Sequence, residues 1–147
     1  MSLQRATALV TARTAGGPGA VARPLGVAAL AAAAVTYIAA VDPNAPGHYP
    51  GCPFLALTGW YCPGCGSLRA VHALAHGHLG EALARNPLTV LTVPVLVWIW
   101  VEWTWRQVTG RRRERALPAW VIWAWLGVVV AFWVLRNLPG FGWLSPA

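Results

Sequence analysis

The chain has 147 residues, of which 57% are hydrophobic and only 10% charged, where a typical soluble domain carries roughly 25% charged residues. That deficit excludes an ordinary cytosolic protein, and the apolar excess excludes a disordered one. Eleven basic residues, all arginine, against four acidic ones give a net charge of +7, but they lie between long apolar runs, which suits topology signals and lipid-phosphate contacts better than nucleic acid.

Residues 1–24 carry Arg5, Arg13 and Arg23 among Ala, Thr, Gly and Pro with no apolar period, and read as a flexible basic arm. Leu25 to Val41 is free of charge and reads as a first membrane span, at the short end of what crosses a hydrocarbon core of roughly 30 Å. A cleaved signal peptide is the competing reading, since a basic flank, an apolar stretch and small residues are all present. Its lead-in is long, however, and no clean Ala-x-Ala site precedes Asp42. Asp42 to Gly59, dense in Pro43, Pro46, Gly47, Pro50, Gly51 and Pro53, reads as loop. After a cysteine motif over Trp60–Gly66, Ser67 to His76 reads as a helix. Leu68, Val71 and Ala75 lie on one of its faces and Arg69, His72 and His76 on another. Ser67 is the expected N-cap, and Gly77 the expected left-handed C-cap with Leu79 as apolar contact. A second short helix is expected over Leu79–Arg85. Both are too short to span and suit the membrane surface or the side of a bundle.

Asn86-Pro87 marks a helix start, with Asn as N-cap and Pro at the first helical position. The span Leu88–Trp105 follows. Pro94 inside it removes the hydrogen bond to the Val90 carbonyl and predicts a kink, with Thr89 and Thr92 placed to satisfy freed groups. Residues 106–118 form a basic loop with Arg106, Arg111, Arg112, Arg113 and Arg115, too short for an extended nucleic-acid face. Ala119–Leu135 is the third span, ended by Arg136-Asn137-Leu138-Pro139-Gly140. Trp98, Trp100, Trp103 and Trp105 before the loop, and Trp120, Trp123 and Trp125 after it, form an aromatic belt. Glu102, four residues before Arg106, reads as an i,i+4 ion pair. The expected fold is all-α: an integral membrane protein of three transmembrane helices plus one or two short interfacial helices, with residues 25–147 as a single membrane domain. The positive-inside rule places both Arg-rich segments in the cytoplasm. The cysteine-containing segment 42–87 and the C-terminus then lie outside a plasma membrane, on the oxidising side.

All three cysteines, Cys52, Cys62 and Cys65, fall in that outer segment. Cys62-Pro63-Gly64-Cys65-Gly66 is a tight turn of the kind that presents two thiolates to one tetrahedral ion. Cys52 supplies a third ligand, and His48, His72 or His76 a possible fourth. Cys62 and Cys65 also sit at a helix N-terminus near Arg69, where a thiolate is favoured and a catalytic dithiol would work. Against this, no thioredoxin-like βαβ pattern accompanies them.

The ordered set Cys52-Pro53-Phe54, Thr58-Gly59, Cys62-Pro63-Gly64-Cys65-Gly66, Arg69-Ala70, Gly77 and Asn86-Pro87-Leu88 resembles a bacterial family of small membrane proteins of unknown function. Its hallmark is this turn followed by an Arg-containing helix and an Asn-Pro step, and the resemblance covers roughly residues 48–100. It implies a membrane protein with extracytoplasmic or interfacial cysteines, no established activity, and no requirement for His72 or His76. Leu68 stands where that family often has Thr, and His78 where it often has Asp or Asn.

The expected function is non-enzymatic: a scaffold or accessory protein in contact with the lipid bilayer and another membrane protein, and not with nucleic acid. Its cap is stapled through the cysteines. Arg69, Asn86, Pro87 and Glu102 are the expected structural or interaction residues. The alternatives are a membrane thiol–disulfide oxidoreductase using Cys62 and Cys65, and a zinc-binding membrane protein using Cys52, Cys62 and Cys65.

Overall fold

The computed structural model describes residues 18–110 and 118–145. Residues 1–17 of the expected arm, and Arg111, Arg112, Arg113 and Arg115 of the expected basic loop, lie outside them. Among the described residues every regular element is helical. In chain order these are α1 (Pro18–Ala40), α2 (Pro53–Thr58), α3 (Ser67–Ala75), α4 (Leu79–Arg85), α5 (Pro87–Thr109), α6 (Ala119–Leu135) and a single 3₁₀ turn, Gly142–Leu144.

α1 starts at Pro18, so residues 18–24 are helical and not part of an arm. Pro18 supplies a pre-set φ at a position whose N–H would go unused, and Ala20, Val21, Ala22 and Arg23 continue the helix. Pro24 lies inside it. α1 and α5 are long and apolar enough to cross a membrane, and their side chains are almost entirely uncovered; α6 is an apolar helix of the shorter class. Leu30 is 73% exposed and Trp123 70%. Helices apolar all round belong where the surroundings are apolar.

Two compact units are distinguished, Met1–Ala32 with Val95–Ala116, and Ala33–Pro94 with Leu117–Ala147. In the first, Trp100 Nε1 donates to the Pro24 carbonyl at 3.3 Å, and Glu102 pairs with Arg106 one turn on, as the i,i+4 spacing predicts. The second holds all three cysteines. Its core is small: Ala70 and Ala73 of α3 and Ala82 of α4 are buried, with Leu74 and Val90 against them. The buried face of α3 is thus not the Leu68–Val71–Ala75 face. Alanines let α3 and α4 approach closely, and Leu68 stays exposed.

α3 ends as its sequence predicts. Gly77 takes φ +78°, its N–H bonds the Leu74 carbonyl at 3.0 Å, and the His78 N–H bonds the Ala73 carbonyl at 2.8 Å, which is a Schellman closure. Its start differs. Gly66 at φ +83° is the N-cap, and the Ser67 hydroxyl meets the Thr89 hydroxyl at 2.7 Å instead of capping. In α5, Thr92 donates to the Leu88 carbonyl, so neither threonine serves the carbonyl freed by Pro94.

Gly77 and Gly80 give opposite signs on one helix pair. A Cβ at either meets nothing within 4 Å, so only the backbone decides. Gly77→Ala is expected to destabilise by about 1 kcal/mol, because it forces an L-residue into the left-handed region. Gly80→Ala, inside α4, is expected to stabilise by about 0.5 kcal/mol. Thermal melting in detergent checks both.

Candidate metal centre

Cys52 is the N-cap of α2, a helix where the sequence suggests only loop. Pro53 at its first position and left-handed Gly59 after its last bracket six residues, the usual Pro-in, Gly-out asymmetry. Phe54 and Trp60 set their rings against Trp133 of α6, at centroid distances of 5.8 and 6.2 Å. That fixes the approach of Cys52. Cys62 and Cys65 lie on the tight turn entering α3, closed by the Cys65 N–H on the Cys62 carbonyl at 3.1 Å.

The sulfurs converge. Cys62 Sγ lies 3.5 Å from Cys52 Sγ and 3.0 Å from Cys65 Sγ. All three fall within 4.8 Å of one another, the one such group of potential metal ligands among the described residues. All three are thiols, Cys65 buried and the others half-buried. The Cys62 N–H also donates to Cys65 Sγ at 3.2 Å.

Three polar side chains hold this turn from elements distant in sequence. Asn86, fully buried, donates through Nδ2 to the carbonyls of Pro63 at 2.9 Å and Cys65 at 3.1 Å, and to the Ser67 hydroxyl at 3.3 Å. Its Oδ1 accepts the Thr89 N–H at 3.0 Å, capping α5, which begins at Pro87. Arg136, 1% exposed, donates from Nη1 to the carbonyls of Cys62 at 2.8 Å and Pro63 at 3.3 Å, and from Nη2 to that of Cys65 at 3.2 Å. Asn137 clamps Tyr61 at both ends, accepting its N–H at 2.8 Å and donating to its carbonyl at 2.9 Å.

Arg136 and Asn137 are the site residues that sequence analysis misses. A polar pair directly after an apolar helix looks interfacial; the available signal was only its position at the end of that helix. Arg136 has no carboxylate partner among the ion pairs of the described residues. Its guanidinium rests 4.8 Å from the Phe132 ring centroid, a cation–π distance. Burial lowers its pKa, and proximity to Cys65, Cys62 and Tyr61 opposes that.

The other expected residues divide. Arg69 stands in the wall of a cavity of about 420 Å³ lined also by all three cysteines. His72 donates from Nδ1 to the Ile38 carbonyl at 2.8 Å, a tie to the end of α1, with Nε2 3.9 Å from Asp42. His76 donates to the His72 carbonyl. His48 is exposed, and no histidine joins the sulfur group. Glu102 belongs to the pair within α5 already described.

The thiols are not equivalent. Burial, then the neighbouring Cys62 and Cys52 thiols, push Cys65 up to about 12. The backbone N–H of Leu55 draws Cys52 down. In the reduced, metal-free protein at neutral pH, Cys52 is expected to alkylate before Cys65, read by peptide mass spectrometry. Because the folded pKa of Cys65 is raised, its contribution to stability is complete below the ordinary thiol range and is lost as pH rises towards 12. Cys52 acts oppositely, and its contribution falls away as pH drops through its lowered value. The melting temperature of that form is therefore expected to decline above about pH 8.5.

Among the described residues, three thiols on a tight turn and a neighbouring helix cap belong to an all-helical fold that has two helices long and apolar enough to cross a membrane. Residues 52–100, about a third of the chain, match the profile of a family described as a protein of unknown function, DUF2752. No curated protein and no solved structure matches the chain.

Proposed function

We propose that this is a multi-pass membrane protein of accessory or scaffolding role, whose cap, residues 42–87, is stapled by one metal ion, zinc in first place, held by the thiolates of Cys52, Cys62 and Cys65. The observation that carries this is the convergence of three sulfurs on one point. A disulfide uses two thiols and leaves the third over, whereas one ion takes all three. Zinc–sulfur bonds of about 2.3 Å in tetrahedral array separate sulfurs by about 3.8 Å. The observed 3.0 and 3.5 Å reach that by a few tenths of an ångström of side-chain rotation at each residue. Three thiolates on a divalent ion carry a net charge of −1, which the buried Arg136 balances.

The exposed apolar surfaces of α1, α5 and α6 support insertion in a bilayer, with α6 as the third span. The arginines of residues 1–24 and 106–118 support an N-terminus in the cytoplasm, and the cap and C-terminus outside. A membrane-impermeant maleimide should label a cysteine-free variant carrying one cysteine in residues 43–50 on intact cells. Labelling only after lysis overturns that orientation.

A second reading, thiol–disulfide exchange, is favoured by one observation: Cys62 lies in contact range of both other thiols, as a relay requires. Protein purified in mild detergent separates the two. About one ion per chain with three masked thiols is expected, and loss of the ion in each Cys→Ser variant. No ion, one disulfide and measurable exchange with a dithiol would establish the second reading. No ion and three reactive thiols would overturn both.

A further inference from the structure

We infer that His72, His76 and Asp42 form a second metal site, separate from the sulfur group, which takes a borderline divalent ion such as zinc and clips the end of α1 to α3. The inference does not depend on what the cysteines hold.

The two histidines lie one turn apart on α3, with ring centroids 4.4 Å from each other. Positions i and i+4 are the spacing at which a helix presents two imidazoles to one ion. Each ring commits Nδ1 to a backbone carbonyl, His72 to Ile38 at 2.8 Å and His76 to His72 at 2.9 Å. A carbonyl only accepts, so Nδ1 carries the proton in both rings, and the neutral form has its lone pair at Nε2. An Nδ1–H held by a carbonyl is the usual support of a histidine that ligates a metal through Nε2.

What His72 Nε2 faces is the second observation. Asp42, just beyond the end of α1, places Oδ1 3.9 Å from it. The Asn44 backbone N–H and side-chain amide both donate to that oxygen, at 2.8 and 2.7 Å, and hold the carboxyl below the ordinary carboxylate range. With His72 neutral, a nitrogen lone pair and a carboxylate oxygen thus confront each other, an arrangement that a cation relieves. Bonds of about 2.0–2.2 Å to nitrogen and oxygen hold two such donors about 3–3.5 Å apart on one ion. Asp42 is half exposed and His76 exposed, so both have room to rotate onto it. The donors are set wider than the three sulfurs, which alone among the described residues already lie within 4.8 Å of one another, so this site closes on its ion. Imidazole and carboxylate suit borderline ions, and the positions left towards solvent keep water. On binding, three waters leave the hydrated ion and three bonds to the protein form. No proton moves and nothing is oxidised.

The test uses full-length protein without a histidine tag, in detergent, with ¹⁵N-labelled histidine, titrated with Zn²⁺ beyond what it retains on purification. The Nε2 resonances of His72 and His76 are expected to shift together and saturably, while those of His48 and His78 stay in place. His76→Gln and Asp42→Asn, both at exposed positions, should each weaken the response by about tenfold or more, since a ligand counts for at least as much as its support. Zinc should also raise the melting temperature of the native chain, and less so that of His76→Gln. Shifts of His76 and His78 without His72, equal shifts of all four rings, or full affinity in Asp42→Asn would each overturn the site. Zinc taken up with all four histidines unmoved would overturn it and leave the sulfur centre standing. Histidine shifts in a protein whose thiols stay unmasked would do the reverse.

Discussion

Alanine at position 136 is expected to lower stability by about 3 kcal/mol and to abolish metal retention, although the residue touches no sulfur in the structure. Its guanidinium makes three donations to the carbonyls of the cysteine turn. A hydrogen bond to a charged group is worth about 1.5–3 kcal/mol, and a buried acceptor left bare costs comparably. Asn86 still serves Pro63 and Cys65 in the variant, so the uncompensated loss centres on the Cys62 carbonyl and on the void. Arg136→Lys keeps charge but not the two-pronged reach of Nη1 and Nη2, and should recover less than half. Arg136→Met separates the electrostatic role from the packing role. A buried cation is expensive when nothing anionic faces it, so methionine, which fills the void but leaves the Cys62 carbonyl bare, should cost less than alanine in the metal-free, reduced protein. In the loaded protein it should cost much, because the tri-thiolate centre then loses its balancing charge. Melting curves with and without zinc, with metal content per chain, check this. Equal effects in the two forms would remove Arg136 from the charge balance.

The second large effect is expected at Asn86. Asn86→Ala removes three donations to the turn and the cap on α5 together. A cap is worth about 1 kcal/mol and each of the three hydrogen bonds about 1 kcal/mol more, giving a loss of about 4 kcal/mol. Asn86→Asp preserves the cap acceptor but turns an oxygen towards the carbonyls of Pro63 and Cys65, where an N–H had been. It is expected to be no better than alanine, and worse above the pKa of the carboxyl. Thermal melting near pH 4 and near pH 7 distinguishes the variants: alanine is indifferent to that change, whereas aspartate destabilises further as it ionises.

Local chemistry was legible in the sequence wherever one segment decides its own fate. Ala119–Leu135 is bounded by Pro118 and Arg136, α5 starts where Asn86-Pro87 demands, and Gly77 closes α3 in the left-handed region. α2 was legible in principle from Pro53 and Gly59, but the density of prolines and glycines around it argued for loop. Beyond the segment, pattern fails. Apolar spacing groups Leu68, Val71 and Ala75 on one face of α3, yet the buried residues are Ala70 and Ala73, because close approach to α4 favours small side chains. Cys52, Cys62 and Cys65 are near in sequence, so their meeting was open to inference. Their support was not: Arg136 and Asn137 are more than 70 positions from the turn they hold, and hydropathy says only that a polar pair ends an apolar helix, not what it meets.

The clamp of Asn137 on Tyr61 sets an order of events. Its side-chain amide pairs with a main-chain amide as one strand pairs with the next, and Arg136 beside it finishes the shell of the turn. During synthesis the cysteines emerge many residues before either partner exists. The turn therefore lacks its full set of supports until α6 and the residues after it have been made, and under the proposed metal reading this ties ion capture to the arrival of that helix.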